Sequence, residues 1–267
     1  LTDVTGVQTC ALPILVTQFE QAIAANPDGI AIMGHPGDAA YRPFVEEAVK
    51  KGIIVTSQNA TLPELQAEFA AHGFGYVGQE LYASGWTLGQ GILQRAGVKA
   101  GDHALVWGLR SQPTRGQRTQ GAIDALAEAG LVVDYIEISA EVDKDAANGI
   151  PVIVGYLQAN PNCKVVVTDH GNLTSAQQTY FEAAGYGPDE IFGAGFDLSP
   201  ATVESIKSGY TDLVLDQQPF LQGFLPVMQI YLTKKFGFSG LHIDTGGGLI
   251  GPDNIDFIAP LAEKGIR

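Results

Sequence analysis

Short apolar runs in this chain repeatedly end in side chains that could hold a polar ligand. His35 follows one and Asn59 another. Arg115 and Arg118 come next, then Asp169, His170 and Asn172, then Asp197, and last Gln217 and Gln218. Carboxylate, amide, imidazole and guanidinium together supply donors and acceptors in both directions. Planar groups of this kind can each grip two adjacent hydroxyls, as a sugar or polyol presents them. Pairing of arginine with carboxylate is the competing use. Trp107 and Phe220 are aromatic candidates for stacking on a sugar ring, ahead of Tyr41 and Tyr76.

Every one of these residues also has a plain structural role open to it. His35 and His170 could be loop residues satisfied by local hydrogen bonds. Asp197 could be a charge at a helix N-terminus. Arg115, ranked below Arg118, could be a solvated loop charge, and Trp107 and Phe220 could be core. Catalytic readings are weaker. Asp169 and His170, with Asp38 and His35 far upstream, lack the ligand spacing of a metal site. No G-x-S-x-G elbow occurs. Cys163 stands at the start of an apolar run rather than at its end. The TGGG of Thr245 to Gly248 lacks the lysine and helix of a phosphate loop and reads as a flexible crossover. The expectation is a binding protein, with no catalytic residue, metal or cofactor.

The elements that must carry these groups are clearest from Gly193 to Phe224. Ile191 to Phe196 reads as a strand ending at Asp197. Ser199 is a good N-cap, Pro200 suits the first helical position, and Gly209 closes that helix. Asp212 to Asp216 is the next strand, ending at Gln217 and Gln218 before Pro219 opens another helix. Two successive strands thus deliver an Asp and a Gln at their C-terminal ends, where open α/β sheets bind ligands.

The same alternation runs through the rest. Strands are expected at Gly29 to Met33, Ile53 to Ser57, Gly75 to Gly78, His103 to Gly108, Val132 to Ile138 and Lys164 to Thr168. Helices are expected at Leu15 to Ala25, Asp38 to Lys51, Pro63 to Ala71, Leu81 to Arg95, Gln117 to Ala129, Ala147 to Ala159 and Ser175 to Ala184. Such a series implies parallel sheets with right-handed crossovers, in two sets of similar length. The GVKAGD turn after Arg95 reads as a boundary between them.

The 267 residues fit one large domain or two smaller ones, and 45% hydrophobic residues suffice for a sizeable core. Fifteen basic against twenty-nine acidic residues leave a net charge of −14, which repels nucleic acid and anionic membrane. No apolar run reaches a membrane span. Val4 to Ile14, VTGVQTCALPI, is similar to the translation of a sequencing-library adapter. It shows neither helical nor strand periodicity and is broken by Pro13, so residues 1–14 are set aside as an artefact. With Cys10 in that stretch, Cys163 has no internal disulfide partner, and the native start is expected to be lost.

NPDGIAI, KKGIIVTSQN, FGYVGQELYASG, PTRGQRTQGAIDALAEAG, GAGFDLSPATVESIKSG and LDQQPFLQG, in this order, carry a resemblance that spans residues 15–267. The chain resembles the sugar-binding, type I periplasmic binding proteins of ABC importers, close to the ribose and simple-sugar group. That resemblance implies two Rossmann-like lobes, with parallel sheets joined by a three-crossover hinge, that close on a sugar. The lobes would be 15–78 plus 219–244, and 79–217 plus 245–267. The crossovers would fall near Tyr76 to Gln79, Gln217 to Pro219 and Asp244 to Gly248. His35 and Asn59 match polar contacts of the first lobe. Arg118 matches the arginine that grips the sugar, with Arg115 its neighbour. Asp197 and Gln217 match an aspartate and a hinge-side glutamine, and His170 falls where an asparagine is usual.

The implied partners are a sugar or polyol and the transmembrane permease subunits, with no nucleic acid. The implied protein is a monomer in the periplasm or lipid-anchored outside the cell. The family's first strand with its aromatic contacts, the following helix and the second strand have no counterpart here, about one βαβ-sized unit, so the first lobe is expected to be incomplete. Three other readings of the same fold stand beside it: the effector domain of a sugar-responsive repressor, a binder of a furanosyl quorum signal, and an enzyme.

Overall fold

The computed structural model describes residues 12–112 and 114–267. In chain order its elements are α1 (Leu12–Ala24), β1 (Gly29–Met33), α2 (Asp38–Lys50), β2 (Ile54–Asn59), α3 (Pro63–Phe69), β3 (Gly75–Gly78), α4 (Leu81–Arg95), β4 (His103–Gly108), α5 (Gly116–Glu128) and β5 (Val132–Glu137). Then come α6 (Ala140–Lys144), α7 (Ile150–Ala159), β6 (Cys163–Thr168), α8 (Gly171–Thr174), α9 (Gln177–Ala184), β7 (Phe192–Phe196), α10 (Pro200–Lys207), β8 (Leu213–Asp216), α11 (Pro219–Phe236), β9 (His242–Asp244), β10 (Gly248–Ile250) and α12 (Ile255–Ala262). They form two compact units. The first takes the chain up to Gln79 and again from Pro219 to Thr245; the second takes Glu80–Gln218 and Gly246–Arg267.

The first unit is built on a four-stranded parallel sheet in the order β1-β2-β3-β9. One face packs Val55 and Ile32 against Phe19 and Ile23 of α1, Tyr41 and Val45 of α2 and Leu65 of α3. Alternation along β2 turns Thr56 to the other face. There its hydroxyl donates to buried Gln229 of α11 over 2.8 Å. The far side of α11 carries Phe220, Phe224, Val227 and Tyr231, spaced three or four residues apart and half-exposed.

The second unit has a six-stranded sheet, order β10-β8-β7-β6-β4-β5, parallel except for β10 against β8. Helices cover both faces, so the strands are apolar on both sides. Leu105, Trp107 and Val166 face Ile153 and Leu157 of α7 and Tyr180 and Phe181 of α9. Ala104, Val106, Val165 and Val167 face Leu88 and Ile92 of α4 and Leu126 of α5. The α4–α5 pair packs backbone to backbone. A Cβ at Gly85 would lie 1.9 Å from the carbonyl oxygen of Arg118, and one at Gly121 2.2 Å from that of Tyr82. Only glycine permits that approach.

Several expectations are corrected. The GVKAGD turn is no boundary. It joins α4 to β4 inside the second unit, held by Gly101 N–H to Gly130 O at 2.9 Å and Lys99 N–H to the Asp102 carboxylate at 2.9 Å. The adapter-like reading of residues 1–14 stays an expectation: residues 1–11 lie outside the described residues, and Leu12–Ile14 open α1. The helix expected from Ala147 starts at Ile150, after a 3₁₀ turn at Ala146–Gly149 and the separate short helix α6.

Candidate functional site

In the first unit the strand ends carry a chain of neutral hydrogen bonds. Asn59, the last residue of β2, has φ +65°, a left-handed backbone that asparagine tolerates better than most residues. That turn directs its amide along the rim. Asn59 Nδ2 donates to Gln222 Oε1 of α11 over 2.9 Å, leaving Oδ1 to accept from His35 Nε2 at 2.7 Å. Gln222, 4% exposed, passes the series on to the hydroxyl of Thr245 at 3.0 Å. The Tyr76 hydroxyl donates to the carbonyl of Gln79 at 2.6 Å and steadies the end of β3. His35 and Asn59, both expected at a site, are thus brought together. Gln222 was missed, because a glutamine inside a helix has no strand-end signal.

In the second unit the corresponding rim is charged. Arg118 of α5 is 2% exposed, its Nε donates to Asp169 Oδ1 at 2.8 Å, and Nη2 donates to the Asp169 carbonyl. Its guanidinium lies 4.1 Å from the centre of the Phe196 ring, a cation–π contact in a dry setting. Arg115, the residue before α5, is buried rather than a solvated loop charge. Burial, and then the nearby Arg118, lower its pKa, opposed by Asp169, Asp197 and Asp143.

Asp197 follows β7 with φ +72°. Its Oδ2 accepts from the Gly171 N–H at 3.2 Å, and its Oδ1 accepts from Gln217 Nε2. Asp197 and Gln217 therefore meet on adjacent strands. Ser199, as expected, caps α10 by accepting from Thr202 N–H at 3.1 Å. Asp197 stands two residues before that cap and makes none of α10's capping bonds.

His170 donates or accepts through Nε2 with Asp143 Oδ1 at 2.8 Å, both side chains being buried. Burial pushes the His170 pKa down, against the pull of the Asp143 hydrogen bond. Two atoms here are buried with no hydrogen-bond partner among the described residues: Asp169 Oδ2 and His170 Nδ1. Buried acceptors left unmet cost stability unless a ligand meets them. Asp143 was missed for the same reason as α6, a five-residue helix with no apolar period.

The two aromatic candidates fare differently. Trp107 is corrected: its ring is 1% exposed and packs with Tyr180 (centroids 5.6 Å apart) in the core, since it faces the α7–α9 side of β4. Phe220 stacks on Phe224 at 6.2 Å and is half-exposed at the start of α11. Among the described residues, no cluster of His, Cys, Asp and Glu could hold a metal ion. Cys163 is buried, and burial pushes its thiol up to about 11, so it is a poor nucleophile.

The fold is shared by known proteins. The xylose/arabinose-binding protein XylF of Sulfolobus acidocaldarius is 30% identical over 261 residues, covering 94% of this chain and 63% of that protein, so the chain spans under two thirds of that relative's length. A solute-binding protein of Agrobacterium vitis with bound D-fucose superposes with a TM-score of 0.79 at 19% identity, covering 96% of this chain and 84% of that one. One from Burkholderia graminis in complex with D-arabinose gives 0.76 at 23%, covering 90% and 81%. The family profile described as periplasmic binding protein domain matches residues 11–235, and this chain belongs to that family.

Proposed function

We propose that this protein is the solute-binding component of an ABC importer, capturing a sugar or polyol with hydroxyl-gripping groups from both units. The observation that carries this is the charged rim of the second unit. Arg118 is locked on Asp169, Asp197 is braced by Gln217, and two buried acceptors are unmet. Kinship with the protein named as xylose/arabinose-binding supports a sugar as the solute. His35 and Asn59 contribute from the first unit, with Gln222 behind Asn59. Gln217, Arg115 and Phe220 complete the proposed set.

Binding would favour the closed form of a molecule that samples open and closed forms. The closed form is what the transmembrane subunits recognise. The protein acts as a monomer, in the periplasm or anchored outside the cell, performs no catalysis and binds no nucleic acid. A micromolar dissociation constant corresponds to about −8 kcal/mol.

A thermal-shift screen of the full-length protein against pentoses, hexoses and polyols tests the reading. At least one is expected to raise the melting temperature, with affinity falling at least about tenfold in Asp197→Ala, the loss of one charge-assisted hydrogen bond. No shift with any of them, or unchanged affinity in both Asp197→Ala and Arg118→Ala, would sink it.

A further inference from the structure

Asp143 lies on α6, away from every strand end, yet its carboxylate is buried. A carboxylate is not taken out of water without a partner. Ser139 caps the helix that carries it, its Oγ accepting from Val142 N–H at 3.3 Å, and the Asp143 N–H donates to Ser139 O at 2.9 Å. The side chain reaches His170 Nε2 at 2.8 Å. The charged groups that face the imidazole are Asp143 from α6, Arg115 and Arg118 from α5 and the turn before it, and Asp169 from its own strand end.

An ionised carboxylate can only accept, so the proton of a neutral imidazole held this way sits on Nε2. Nδ1 is then a bare lone pair. It is buried and unmet, as is Oδ2 of the neighbouring Asp169. Two adjacent residues thus offer acceptors alone, a pattern suited to two hydroxyl donors.

We propose that Asp143 is a positioning residue of the ligand site: it fixes His170 in the tautomer whose Nδ1, together with Asp169 Oδ2, accepts hydrogen bonds from two ligand hydroxyls. This rests on the sugar-binding reading of the same site. It adds to that reading a reason for histidine at 170, since an imidazole pinned by a carboxylate is an acceptor only, whereas an amide would present both characters. A sugar lacking one of the two hydroxyls would leave a buried acceptor unpaired and be rejected.

A double-mutant cycle on the full-length protein tests it, with calorimetric titration of D-xylose, D-arabinose and myo-inositol. Asp143→Asn is expected to weaken the bound sugar about tenfold in the parent and by less than about twofold in the His170→Asn background, because the two residues act as one unit. An equal loss in both backgrounds, or none in either, overturns the positioning role and leaves the sugar reading intact. Binding of none of the three by the parent removes both. Should Asp143→Asn not fold, long-range ¹H–¹⁵N correlation of the parent's His170 decides instead. A protonated Nε2, with a bare Nδ1 resonance that moves on adding the bound sugar, is expected. A protonated Nδ1 overturns the proposal.

Discussion

The two strand-end rims solve one problem with opposite chemistry. The first unit runs a neutral series from His35 through Asn59 and Gln222 to Thr245. The second buries whole charges, Arg115 and Arg118 against Asp169 and Asp143, with half-buried Asp197 beside them. Both use one Asx residue in the left-handed region, Asn59 and Asp197, to bend the chain off the strand and present a side chain at the rim. The difference lies in what each rim loses on damage. A neutral hydrogen bond is worth about 1 kcal/mol net, whereas a buried ion stripped of its partner loses several. The second unit's rim is therefore the more rigid and the more fragile.

The largest effect should come from Arg118→Ala, which leaves Asp169 buried and unpaired. Urea unfolding is expected to show a loss of about 3 kcal/mol. Arg42→Ala in the first unit, which breaks exposed pairs with Glu64 at 3.2 Å and Glu68 at 2.5 Å, should cost under about 1 kcal/mol. Equal losses would erase the contrast. Asn59→Ala comes next, at about 1–2 kcal/mol, with the sugar bound several-fold more weakly, since it interrupts a neutral series and places alanine in a left-handed backbone.

The smallest effect concerns Asp212, just before β8. Burial raises its carboxyl to about 6, even though Oδ2 accepts from Gly193 N–H at 2.8 Å. A carboxyl whose pKa is higher folded than unfolded favours folding while protonated, and that contribution fades as pH rises through about 6. The melting temperature of the parent, relative to Asp212→Asn, should rise between pH 7 and pH 5. A flat difference would show that the group titrates normally.

Much of the architecture was legible in local pattern. Ser199, Pro200 and Gly209 mark the ends of α10 through capping chemistry that acts within a few residues. The continuous apolar runs of β4 and β6 are those of strands buried on both faces. The site was legible only as far as strand ends reveal it: His35 with Asn59, and Asp197 with Gln217, are pairs of such positions. Asp143 and Gln222 were not, because each sits in a helix and reaches a proposed site residue only across 27 or 163 positions. Trp107 misled for the same reason, since a strand-end aromatic can face either side of its sheet and this one faces the core.

The sequence by itself determined the longer strands and helices from α1 to α11, the neutral or charged character of each strand end, and the family resemblance. Those depend on periodicity, capping and residue type, which are short-range. Tertiary structure alone decided which charges pair, that Arg115 is buried, and that Asp143 holds His170. A buried ion's partner is chosen by which side chains the packed elements bring within hydrogen-bond reach, about 3 Å, and here α5 and the end of β6 bring Arg118 to Asp169.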